Sequence, residues 1–250
     1  MQEATSGEQH QRSTADRFRR QARSIVLALA VGGLFFLAAK LGLGLPSSSG
    51  FVAVFWPAMG FGVGVLIGLG PSARWPVLAA IAVANFLANL SSGDPPQIAL
   101  ATCLSEAVEC LIPAILIERW FGAEFSLARL RHVFGLLAAA TVGSAACAVC
   151  WIVASSLFYG PTGPMPITFL HWFMSDMVGF ITLGPFVIGL FSVLRQPPPR
   201  RETIEGFMAL LALALMLAII IPLPSQFWET ALPIAWLFPT DLHFAERRTR

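Results

Sequence analysis

The sequence predicts an all-α fold: a polytopic transmembrane bundle of about eight helices with both termini in the cytoplasm. Three observations predict it. Of 250 residues, 56% are hydrophobic and only 12% charged, about half the charged fraction of a soluble domain. The apolar residues fall into blocks close to the roughly 20 residues that cross a bilayer as a helix. Finally, all but one of the 16 Lys and Arg residues fall in the segments that alternate onto one side of the membrane. No stretch is left over for a soluble domain, and nothing in the composition points to nucleic acid.

The elements follow in order. Residues 1–23 are polar and carry Arg12, Arg17, Arg19, Arg20 and Arg23, a basic cytoplasmic tail. The run 24–45 is longer than the apolar region of a secretory signal and lacks an A-x-A cleavage site, so it reads as a retained first span. Span two, 51–69, has Pro57 in its first turns, where proline is tolerated. Its Gly60, Gly64 and Gly68 recur every four residues, a small-residue face suited to close helix packing. Further spans read as 76–92, 97–118, 131–156, 168–193, 204–223 and, least marked, 226–240. The connectors carry turn chemistry, as in "SSGDPPQ" (91–97) and "YGPTGPMP" (159–166). The organisation is therefore a tail (1–23), a transmembrane domain (24–241) and a second basic cytoplasmic tail (242–250).

Orientation follows from the arginines. With the N-terminus inside, Arg74, Arg119, Arg129, Arg131, Arg195, Arg200, Arg201, Arg247, Arg248 and Arg250 all join the tail arginines in the cytoplasm. Lys40, inside a span, is the exception, and the outer loops have none, as the positive-inside rule requires.

Depth along each span then gathers the polar residues. Asp176, Glu106, Glu109, Asn85, Asn89, His171, Lys40 and Trp56 all fall in the outer half, roughly 5–18 Å deep at 1.5 Å per residue. Glu106 and Glu109 share a face at i,i+3, and Asn85 and Asn89 at i,i+4. A charged side chain in hydrocarbon is costly, so intramembrane ionisable residues mark functional sites by default. The expectation is a ligand-binding polar pocket. Asn85 and Asn89 also fit plain interhelical hydrogen bonding, and Lys40 fits snorkelling to the interface. An Asp176–Lys40 pair that merely locks the bundle gives the same pattern.

Other constellations are weaker. Cys147 and Cys150 form C-x-x-C within a span, and Cys103 and Cys110 lie seven apart on one face; both pairs read as small packing residues, without the electropositive setting of a reactive thiol. No metal or cofactor is assigned, and no catalytic residue. Phosphate-binding glycine loops, zinc-protease motifs and G-x-S-x-G are absent, so the chain reads as a non-enzyme.

Three segments carry a family resemblance. "VFWPAMGFGVGVLIGLGPSARWPVLAAIAVANFLANL" (54–90), "LSEAVECLIPAILIERWFG" (104–122) and "FLHWFMSDMVGFITLGPFVI" (169–188) stand in one order. Together they resemble the membrane-associated sensor domain, MASE type one. The last is similar to its W-x-x-x-D-x-x-G-x-x-x-x-x-P segment, here Trp172, Asp176, Gly179 and Pro185, which adds Trp172 to the pocket. The resemblance implies a bacterial inner-membrane signal-receiving module that perceives a ligand, proton or membrane partner and feeds a cytoplasmic output. The implied partners are the lipid bilayer and a histidine kinase, diguanylate cyclase or transporter-like membrane protein, with a homodimer also compatible. The segment 227–250 departs from the family pattern, and with no kinase or cyclase following, a stand-alone or truncated sensor is expected. The alternative from a different class is a small transporter or channel for a cation or small solute.

Overall fold

The computed structural model describes residues 2–44, 55–122, 125–158, 164–197, 199–208 and 211, all helix, turn or irregular chain with no strand among them. The helices are α1 (Gln2–Gly44), α2 (Pro57–Leu69), α3 (Arg74–Leu90), α4 (Pro96–Phe121), α5 (Leu130–Phe158) and α6 (Met165–Arg195). A 3₁₀ turn, Pro71–Ala73, joins α2 to α3. Two compact units are distinguished, Met1–Gln196 and Pro197–Arg250. In the second, residues 200–208 are helical, with an exposed Arg201–Glu205 ion pair at 2.9 Å. They cover the start of the expected seventh span; its remainder and the eighth lie outside the described residues.

Proline sets three of the starts. It occupies the first turn of α2, α4 and α6, where its missing N–H has no intrahelical carbonyl to lose. Glycine sets two stops: Gly70 (φ 78°) and Gly122 (φ 58°) follow α2 and α4 in backbone conformations that side chains with a Cβ rarely adopt. The first tail does not break from its span, because α1 is continuous from Gln2 to Gly44.

Among the described residues, five helices are long and apolar enough to cross a membrane: Ser24–Gly44 of α1, Pro71–Leu90, Pro96–Phe121, Leu130–Phe158 and Met165–Arg195. They carry an exposed apolar coat, with Leu29, Leu37, Leu104, Val153, Leu157 and Ile181 all more than half exposed. Such a surface suits lipid, not water.

Helix α2 departs from the expected span. The sequence places a helix over 51–69, but Phe55 and Trp56 are non-helical and α2 has 13 residues, about 20 Å at 1.5 Å per residue. Non-helical backbone at membrane depth survives only when protein covers it. Here it does: the Trp56 amide donates to the Ser175 carbonyl at 3.3 Å, and Trp56 is 6% exposed. Ten of the 13 residues of α2 are buried, so it is the central post of the bundle.

The glycine face of α2 meets α6 in parallel register. A Cβ on Gly60 would stand 2.4 Å from the Gly179 carbonyl oxygen, one on Gly64 2.6 Å from Val187, and one on Gly68 2.3 Å from Phe191. The packing role read from the glycine spacing is the one the structure displays. On its other sides α2 meets α1 and α4, with Gly62 against Phe35 and Cys110. Helices α1 and α3 pair through Gly32 against Ala80. At the arginine-bearing end, Arg74 bonds Glu118 between α3 and α4, and Arg195 of α6 donates to the Gly68 carbonyl of α2.

Candidate functional site

Three helices bring ionisable and polar side chains to one place. Glu106 and Glu109 lie on α4, Ser144 and Cys147 on α5, and Ser175 and Asp176 on α6, all buried. The ligand atoms of Glu109, Cys147 and Asp176 lie within 4.8 Å of one another. Glu109 starts thirteen residues into α4, Asp176 eleven into α6, and Cys147 eleven before the end of α5. That is about 16–20 Å of helix from the same end of the bundle at 1.5 Å per residue, near the middle of the three helices.

Local sequence explains the convergence. Gly143 lets α5 approach α4: a Cβ there would lie 2.8 Å from both the Glu109 carbonyl oxygen and the Pro113 ring. One residue on, Ser144 faces Glu109, and one turn on, so does Cys147. Pro113 has no N–H to give the carbonyl four residues back, which is that of Glu109. On α6, Gly179 admits Trp56 against the helix; a Cβ would fall 1.8 Å from the Trp56 carbonyl oxygen. This seats the indole above α4, where its Nε1–H donates to Glu106 Oε2 at 2.7 Å.

The two glutamates are therefore treated differently. Glu106 has the indole donor and a long contact from the Cys110 thiol, 3.9 Å. Both carboxylate oxygens of Glu109, Oδ2 of Asp176 and Oγ of Ser144 are buried and make no hydrogen bond of ordinary geometry; the polar groups nearest Glu109 are Ser144, Cys147 and Asp176 themselves. Buried polar groups are nearly always satisfied, so four such atoms in one junction need an explanation. No cation pairs with Glu109 or Asp176 in the ion pairs among the described residues.

The other expected pocket residues divide. Asn85 and Asn89 are buried on α3, bonded to each other with Asn89 Nδ2 to Asn85 Oδ1 at 2.7 Å, and Asn85 Nδ2 is unsatisfied. Lys40 does not reach Asp176: its Nζ donates to Ser92 Oγ at 2.7 Å, at the α3–α4 turn. In that turn, burial lifts the Asp94 carboxyl above its ordinary value. Trp172 packs against Trp151 of α5 at a tilt of 35°, centroids 4.6 Å apart, with its Nε1 buried and unpartnered. His171 is half-buried, five residues above Asp176 on α6. Ser144 and Cys147 are the residues that sequence reasoning missed. Their only signal is spacing: Gly143 and Cys147 at i,i+4 and Ser144 and Cys147 at i,i+3 are neighbours on the helix surface.

Fold and site together define a helical membrane protein with five candidate spans among the described residues and a buried ionisable junction among its helices. The family comparison makes this specific. The chain belongs to the MASE1 family, whose model matches residues 27–239. MASE1 is a membrane-associated sensor domain and not a catalytic family. Comparison with curated proteins and with solved structures finds no match.

Proposed function

We propose that this chain receives a signal at the α4–α5–α6 junction in the bacterial inner membrane. It passes that signal to a cytoplasmic output module, a histidine kinase or diguanylate cyclase being the class the family reading favours. The observation that carries the proposal is the set of unpartnered buried atoms on Glu109, Asp176 and Ser144. A structural lock satisfies its polar atoms; a receptor leaves them for a ligand. The arginine distribution supports cytoplasmic termini, with the signal leaving at the Arg195 end of α6.

The mechanism is a shift between two packings of α6 on α2. A ligand between Glu109, Cys147 and Asp176 bears on α4, α5 and α6 at once. It biases the equilibrium only by its differential affinity for the two packings. Movement of α6 is felt about five turns beyond Asp176, where Arg195 holds the Gly68 carbonyl.

The test is a fusion of the chain to a diguanylate-cyclase reporter. Asp176→Asn keeps shape and most hydrogen bonding, so it is expected to insert and fold normally while reporter output departs from wild type. Membrane hydrogen bonds contribute about 0.6 kcal/mol on average, so a purely structural Asp176 predicts an amide variant with unchanged output. Unchanged output with normal folding would sink the receptor reading. Cation current or solute uptake in proteoliposomes would instead favour a small transporter or channel.

A further inference from the structure

We infer that Glu109, Cys147 and Asp176 form a binding site for a divalent transition-metal ion of the Zn²⁺ type, with Ser144 at its edge. The inference rests on the reading of this junction as the receptor and names its ligand. Three donors from three helices lie within 4.8 Å of one another, all buried. Side-chain rotation closes that span onto one ion with bonds of about 2.0–2.2 Å to oxygen and about 2.3 Å to sulfur. The donor set selects the ion: a thiolate with carboxylates favours Zn²⁺-like ions, whereas Mg²⁺ and Ca²⁺ take oxygen alone.

The independent observation is the unpartnered chemistry. Glu109 Oε1 and Oε2, Asp176 Oδ2 and Ser144 Oγ make no hydrogen bond of ordinary geometry, facing only one another and the Cys147 thiol, and Glu109 and Asp176 are 0% and 1% exposed. Glu106, close by, is engaged by the Trp56 indole and is not drawn into the site. Helix packing alone gives no reason to gather two unpaired carboxylates beside a thiol. An ion does: its charge offsets the carboxylates, and the thiol proton leaves to solvent as sulfur coordinates. Cys150, one turn beyond Cys147, is only half-buried and stands outside the donor group, so C-x-x-C here supplies one ligand and not a pair.

The experiment uses the full chain in nanodiscs, stripped with chelator and titrated with Co²⁺, a spectroscopic stand-in for Zn²⁺. One Co²⁺ per chain is expected, with near-ultraviolet thiolate charge-transfer absorption that Zn²⁺ abolishes by displacement. Cys147→Ser, a nearly isosteric change, is expected to remove that absorption, and Cys150→Ser to keep it. Glu109→Gln and Asp176→Asn are expected to weaken Co²⁺ binding at least about tenfold, the effect of losing even an outer-shell partner. Size-exclusion elution and thermal unfolding establish that each variant is folded, and the wild-type titration needs no variant. A wild-type chain without the absorption, or a Cys147→Ser chain that retains it, overturns the site. Altered reporter output in Asp176→Asn without wild-type Co²⁺ binding removes the metal and leaves the receptor. Co²⁺ binding with unaltered output in Asp176→Asn keeps the metal and removes the receptor.

Discussion

Trp56 and Glu106 show how one contact tunes the junction. The indole donor satisfies one carboxylate and leaves its neighbour, one turn along α4, unsatisfied. Trp56→Phe keeps most of the apolar volume and removes the donor. It is expected to cost about 1–3 kcal/mol, the penalty of a buried acceptor left without its partner, read as a lower melting temperature in detergent. Glu106→Leu in the Trp56→Phe background is expected to recover part of that loss. A Trp56→Phe chain as stable as wild type would show that the bond carries nothing. At this scale the acids were legible, because a carboxylate in an apolar run is rare. Cys147 and Ser144 were not, because small residues in a membrane helix are ordinarily packing. Lys40 was drawn towards Asp176 because depth along a helix says nothing about which way the side chain faces; it faces Ser92.

Among the elements, the contact between α2 and α6 decides the most. Its glycines are not interchangeable with alanine: Gly60 and Gly179 each meet backbone, which has little room to yield. Gly179→Ala is expected to destabilise by about 1–3 kcal/mol or more, as overpacking does. It should also push Trp56 off Glu106, seen as a change in tryptophan emission. Gly33→Ala is the control, since a Cβ there meets nothing within 4 Å and the position is exposed. An unperturbed Gly179→Ala chain would refute the close approach. Four of the expected spans match α3 to α6 within a few residues, because length and hydropathy fix a lipid-facing helix well. Span two was read too long for the opposite reason. Hydropathy registers apolar residues, and Phe55 and Trp56 are apolar, but the chain at Trp56–Pro57 is turned by contacts with α6 that no local pattern encodes.

For the whole molecule, the outstanding prediction is orientation. Reporter fusions at Gly93 and Gly163 are expected to report the periplasm, and fusions at Arg74 and Arg200 the cytoplasm. The fold agrees internally: Arg74, Glu118, Gly68 and Arg195 gather at one end, and Lys40 and Ser92 at the other. A cytoplasmic signal at Gly93 would invert the bundle and with it the direction of signalling. The family was legible in the sequence because three motif segments in order are far more specific than any one of them. The buried junction was legible as a list of residues but not as a meeting point, since three helices of similar composition can be rotated about their axes without changing any sequence pattern.

The shortness of α2 also bears on how the protein is made. A 13-residue helix is too short to cross the bilayer unaided, and its glycine face is covered by residues that the ribosome adds much later. Between Gly60 and Gly179 lie roughly 120 residues, on the order of 6–24 s of synthesis at about 5–20 residues per second. During that interval α2 has first α1 and then, as they emerge, α3 and α4 to pack against, and its α6-facing flank and the turn at Trp56 stay exposed to lipid or to the insertion machinery. Biogenesis of this bundle therefore ends with α6 docking onto a post that has been waiting for it. Substitutions on the glycine face should register first as degradation during synthesis, visible as low yield, before any loss of response in the chains that survive.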